Sequence, residues 1–157
     1  MSLFSGETVV RPNIVGVMDG TAAKAGSVGE FISTSVVIGS AVALTTATNA
    51  NVMSIVLTPG DWDVAANLNF AATSATTTAG ATWTGSINTV SATLSNDGSE
   101  SYDTPGAITT TSFKLSCTIN RKRISVTTTT TIYLVANAVF TAGTVGAYGT
   151  LNARRVR

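Results

Sequence analysis

Apolar side chains recur at every second position from about residue 28 to the end of the chain, and no other property restricts the fold as strongly. A strand turns successive side chains to opposite faces, so a period of two buries one face and leaves the other to solvent. The segment 61–70, DWDVAANLNF, shows the pattern most clearly. Trp62, Val64, Ala66, Leu68 and Phe70 fall on one face, and Asp61, Asp63, Ala65, Asn67 and Asn69 on the other. Before it, Val52, Ser54 and Val56 alternate against Met53, Ile55 and Leu57. Thr58-Pro59-Gly60 then supplies a turn, with Pro presetting φ and Gly adding freedom.

The same reading sets out the rest of the chain. Segments 28–37 and 41–46 are weaker strands parted by Gly39-Ser40, and a long strand is expected over 81–94. The stretch 95–107, SNDGSESYDTPGA, is expected to be a loop, because Asn96-Asp97-Gly98 and Pro105-Gly106 break regular structure. In 111–119, Phe113, Leu115, Cys117 and Ile119 share a face. Asn120-Arg121-Lys122-Arg123 reads as a polar connection. A strand over 124–140 follows, with the Thr127–Thr131 run inside it, and a last strand covers 145–156. About eight strands at regular spacing, with no convincing helix, define an all-β chain. Eight antiparallel strands in two sheets is the jelly-roll count. The expected architecture is an antiparallel jelly-roll-like sandwich over residues 26–157, preceded by an irregular arm over 1–25.

Composition bears on how such a sandwich is stabilised. The chain has 28 Thr and 21 Ala, and aromatic residues make up only 6%. Thr suits strands, but a core of small side chains buries little apolar area per residue. Association between subunits is the expected remedy, with Phe113, Leu115, Phe140 and Leu151 available to core or interface. Charged residues are 11% of the chain and the net charge is +1, so no global field draws it to nucleic acid or a membrane. No basic, apolar leader opens the chain and no run approaches a membrane span.

The chain has no histidine and one cysteine, Cys117. That removes Ser-His-Asp and Cys-His nucleophile systems, histidine zinc ligands and an intramolecular disulfide. No Gly-rich phosphate-binding motif occurs, and no cofactor is expected. Asp61 and Asp63, about 7 Å apart by strand rise, are the one carboxylate pair that glycoside cleavage could use. The plainer reading is two solvated carboxylates at a strand start. Asp97, Glu100 and Asp103 could offer oxygen ligands to Ca²⁺, but a solvated acidic loop is favoured. With Tyr102 they make 95–107 the expected contact loop. Arg121, Lys122 and Arg123 form one basic cluster, and Arg154, Arg155 and Arg157 a second. Both are expected to serve oligomer or docking contacts. Arg154 and Arg155 point to opposite faces of a strand, so the second cluster cannot present one surface.

Three segments together carry a resemblance. They are Asp19-Gly20 with 25–32 (AGSVGEFI), 51–64 (NVMSIVLTPGDWDV), and 132–136 (IYLVA) leading to 147–155 (AYGTLNARR). In this order they resemble a domain of tailed-bacteriophage virion proteins, similar to the C-terminal knobs of fibre-like and decoration proteins, over about residues 15–157. The resemblance implies a homotrimeric jelly-roll-like knob on a virion, with no catalytic residues. Its implied partners are further copies of itself, the major capsid protein or another virion protein, and a host cell surface. The longer fibre proteins have a shaft, whereas about 25 residues precede this domain. The expectation is therefore a non-enzymatic capsid decoration or head-fibre protein attached by its arm. A receptor-binding tip and a carbohydrate depolymerase are the alternatives.

Overall fold

The computed structural model describes residues 19–72, 78–103, 108–110 and 112–157. Its strands are β1 (Phe31–Val36), β2 (Val42–Ala43), β3 (Ala50–Leu57), β4 (Gly60–Ala72), β5 (Thr78–Asn88), β6 (Ser101–Asp103), β7 (Ile108–Thr110), β8 (Lys114–Val126), β9 (Thr130–Ala142) and β10 (Val145–Arg155). The only helical element among the described residues is a 3₁₀ turn, Ile38–Ser40.

All pairings are antiparallel, and they form two sheets. One runs β1-β10-β4-β8, with β2 also on β10. The other runs β3-β9-β5-β6, with β7 also on β5. With β2 set aside as a stub and β6 and β7 taken as one interrupted strand, eight strands remain. Their order is first-eighth-third-sixth in one sheet and second-seventh-fourth-fifth in the other. That winding is the double Greek key of a jelly roll, so the all-β sandwich expected from the period of two is the fold observed.

The inward faces are those the alternation marks. Trp62, Val64, Leu68 and Phe70 of β4 are fully buried, as are Ile132, Leu134, Ala136 and Ala138 of β9 and Ala147, Leu151 and Ala153 of β10. Small residues allow the sheets to come close. A Cβ on Gly85 would lie 2.4 Å from Leu68 Cδ2 and 2.9 Å from Ile119 Cδ1. Within one sheet, Gly149 of β10 has φ +151°, and a Cβ there would meet Asn67 O of β4 at 2.0 Å. Trp83 of β5 is wholly buried. It lies between Phe70 and Phe113, with ring centroids at 5.4 and 5.0 Å. Phe113, Leu115 and Phe140 pack on this core as partly buried side chains, while Leu151 lies inside it.

Four expectations need correction. Residues 120–123 are not a connection but part of β8, which runs unbroken from Lys114 to Val126. A bulge lets two β8 residues, Asn120 and Arg121, oppose Ala65 alone. Inward positions therefore change from odd (Cys117, Ile119) to even (Lys122, Ile124), and the lost phase imitates a loop. The strand expected over 124–140 is two strands, parted after Val126 and resumed at Thr130, because the all-Thr stretch 127–129 bends the chain with no Gly, Pro, Asn or Asp to mark the break. The strand expected over 81–94 stops at Asn88. Asn88 then accepts from Val90 N and donates to Thr93 O, folding the chain back. Ser91 and Ala92 are held by Asn51, and Ser95 N donates to Ser86 Oγ. The segment thus crosses the outer face between those anchors, which explains the burial of Ser86 and its neighbour Val135. Finally, 95–107 is not wholly loop, because it contains β6. Of the arm expected over 1–25, residues 1–18 lie outside the described residues, and 19–25 carry bends and turns with no strand.

Candidate functional site

Strand β4 brings the two basic clusters together. It pairs with β8 on one side and β10 on the other, so Asp63 stands opposite both Arg123 and Arg154, and Trp62 opposite both Ile124 and Arg155. Alternation then sorts the charged residues onto two levels. Asp61, Asp63, Arg121, Arg123 and Arg154 face outward, while Lys122 and Arg155 turn the other way.

Arg155 is 4% exposed and closes one end of the core. Its Nε donates to Glu30 Oε2 at 2.9 Å, Nη1 to Pro59 O at 2.7 Å and Nη2 to the Thr58 hydroxyl. The guanidinium also lies 4.3 Å from the centroid of Trp62, whose indole N–H donates to Thr58 O. Glu30 accepts a further bond from Gly26 N. This cluster ties the lead-in to β1, the Thr58-Pro59-Gly60 corner and the last strand into one unit. Gly60 has φ +149°, and a Cβ on it would fall 1.9 Å from Arg155 Nη1. The corner therefore needs glycine for both its backbone and its space. An oligomer or docking contact through Arg155 does not fit this placement, since every nitrogen of its guanidinium is engaged inside the subunit. Lys122 likewise reaches inward along the surface, to Asp97 and to the Ser95 hydroxyl.

The outward level carries the other ion pairs. Asp61, expected to be solvated, is 8% exposed. It accepts from Arg123, from Ser125 Oγ at 2.8 Å and from Arg157 Nε at 2.8 Å. The Arg123 hydrogen bonds hold its carboxyl below the usual carboxylate range, against the opposing effect of burial. A carboxyl held low stays ionised at neutral pH, so Asp61 is unsuited to be the proton-donating acid of a glycoside-cleaving pair. Asp63 has one looser partner, Arg121 Nη1 at 3.5 Å.

Between these groups lies a depression of about 280 Å³, lined by Phe31, Asp63, Ala65, Arg121, Asn152 and Arg154. It spans β1, β10, β4 and β8, and the bulge at Ala65 sets Arg121 beside it. Phe31 is an edge-strand residue and 54% exposed. The Arg121 side chain is 73% exposed, and Arg154 has no ion-pair partner among the described residues. The basin thus combines two available cations, one carboxylate, one amide and one aromatic surface. Of its lining, sequence reasoning named Arg121, Arg154 and Asp63. It missed Phe31 and Asn152, whose relevance depends on β1 and β10 being neighbours across most of the chain.

The expected contact loop is drawn inward at one end. Asp97 pairs with Lys122 and accepts from Ser99 N and Oγ, and these bonds, led by that to Lys122, strongly lower its pKa. It is a tether to β8, not a free acidic tip. Glu100 Oε2 is shut from solvent and has no hydrogen-bond partner among the described residues. Tyr102 and Asp103 belong to β6, and their side chains lie outside the described residues. No group of three or more acidic or Cys residues is gathered for a metal among the described residues.

The fold and site together define a jelly-roll sandwich with an arginine-flanked basin on one outer face. No protein-family model matches the chain, and no curated protein sequence does. Among solved structures it is similar to a chain in the structure of infectious bursal disease virus, Gx strain. The TM-score is 0.43 and the identity 13%, over 90% of this chain and 36% of that one. This chain therefore spans about a third of that protein.

Proposed function

We propose that this chain is a non-enzymatic virion structural subunit of the capsid decoration or head-fibre type, a homotrimer attached to the particle through its N-terminal segment. The observation that carries the reading is the strand order, a complete double Greek key. That architecture recurs in capsid and lectin domains, where rigid sheets present loops and outer faces to partners. The sequence resemblance to tailed-phage knobs leads the same way. The small-residue core supports association, since such a subunit gains apolar burial by packing against its copies. The exposed apolar residues flanking β1, Val28, Val37 and Ile38, suit such contacts. Within this reading the major capsid protein or another virion protein is the docking partner.

A receptor-binding tip is the second reading, and the outward basin is the observation favouring it. Two measurements test the proposal. Light scattering at low protein concentration should give the mass of three chains, and a clean monomer overturns the trimer. Labelled antibody on intact particles should mark the capsid, whereas label confined to the tail end supports the second reading and no label on particles rejects both.

A further inference from the structure

We infer that the basin between β1 and β8 is a binding site for a sugar acid, a pyranose-sized ring bearing a single carboxylate. The inference goes beyond the virion reading and does not depend on it.

Charge selects the ligand class first. Arg121 and Arg154 reach the basin from β8 and β10, and Asp63 lies between them on β4. Two cations and one carboxylate leave one net positive charge. A single carboxylate neutralises that charge, whereas a phosphate dianion or a polyanion would leave uncompensated negative charge beside Asp63. Both guanidinia are available. Arg154 is unpaired among the described residues, and the Arg121 contact to Asp63 is long, at 3.5 Å. A carboxylate docking on either gains charge-assisted, potentially bidentate hydrogen bonds. Arg123 and Arg157 do not compete for it, because both already bind Asp61.

The remaining lining selects a sugar over a bare anion. Asn152 offers a donor and an acceptor to hydroxyl groups, and Asp63 offers acceptors. Phe31 supplies an apolar ring more than half exposed, which suits the C–H face of a pyranose. Ala65 keeps the floor low. A volume of about 280 Å³ accommodates one ring. The four contributing strands belong to one rigid sheet, so the groups are held in place before a ligand arrives.

Titration of the ¹⁵N-labelled protein with sodium glucuronate and with N-acetylneuraminate, beside glucose, sodium acetate and inorganic phosphate, tests this. Amide signals of Phe31, Asn152 and Arg154 should move with the sugar acids at concentrations about tenfold or more below those needed for glucose or acetate. Arg154→Gln, an exposed change, should abolish that preference while the remaining spectrum stays unchanged. Phe31→Ala should weaken the sugar acids and leave acetate unaffected. Equal response to acetate would mark an adventitious ion only and overturn the inference. A preference for phosphate, no shift with any sugar acid, or an unaffected Arg154→Gln would also overturn it. Antibody labelling of particles is a separate result, so failure of either reading leaves the other standing.

Discussion

Replacing Arg155 by Met should be among the most damaging single changes on β10. Arg155 is 4% exposed and its guanidinium serves four partners at once: Glu30, Pro59 O, Thr58 and the Trp62 ring. Methionine fills much of the same space, so the loss is electrostatic and hydrogen-bonding rather than a cavity. Glu30, whose side chain is 11% exposed, would be left as an unpaired carboxylate at the end of the core. Removing one partner of a buried ion pair costs about 3–5 kcal/mol. For a chain of this size that lowers the melting temperature by roughly 6–20 °C. Glu30→Met alone should also destabilise, because it leaves the buried guanidinium without its counter-charge. The double variant removes both charges, so it should be more stable than the two single losses predict, by about 1–3 kcal/mol. Urea unfolding of the four proteins, followed by tryptophan fluorescence, measures the cycle. If Arg155→Met costs under about 1 kcal/mol, as an exposed pair would, or if the two changes simply add, the cluster does not hold the end of the sandwich in the way described.

Three further outcomes follow from the same geometry. Gly149→Ala should destabilise by about 3 kcal/mol or more, since its φ is strained for any L residue and the obstacle is backbone; Gly39→Ala, with open space around it, should lie within about 0.5 kcal/mol of wild type by the same unfolding curves. The stability difference between wild type and Asp61→Asn should be present at neutral pH and shrink in acid. The folded-state pKa of Asp61 is lowered mainly by Arg123, so its contribution persists above the unfolded value near 3.8 and disappears as pH falls through the folded value, which thermal melts at several pH values would follow. Trp62→Phe should cost more than Trp83→Phe in urea unfolding, although both rings are fully buried: Trp62 loses a hydrogen bond to Thr58 O and its stacking with Arg155, whereas Trp83 Nε1 has no partner to lose among the described residues.

The inward faces were legible because each buried strand keeps its phase. Trp62 to Phe70 and Ile132 to Ala138 needed only a period of two. Phase failed at Ile119–Lys122, where a bulge inserts a residue and the strand continues on the other parity. It also misled over 89–94, where Val90 and Leu94 keep an apolar rhythm while Asn88 turns the chain. The arginine clusters were visible as clusters, and the opposed directions of Arg154 and Arg155 followed from alternation alone. Their meeting across β4 was not visible, because it depends on strand order. The burial of Arg155 was hidden for another reason: Glu30, its counter-charge, lies 125 residues away. No local pattern distinguishes an arginine with such a partner from one in water.

The central position of β10 constrains how the molecule comes into being. Before β10 leaves the ribosome, β1 has no neighbour in its sheet and β4 is open along one side. Both would then expose unpaired backbone groups, a template for pairing with other chains. The sheet therefore cannot close progressively during synthesis, and its completion is a late step that closes a very long loop. A chain truncated after Ala142, with β9 whole and β10 missing, should be open to protease and prone to self-association, whereas the chain carrying β10 forms a closed sandwich. The Glu30–Arg155 pair, joining the lead-in to the first strand to the end of the last, would then mark the moment at which the sandwich closes.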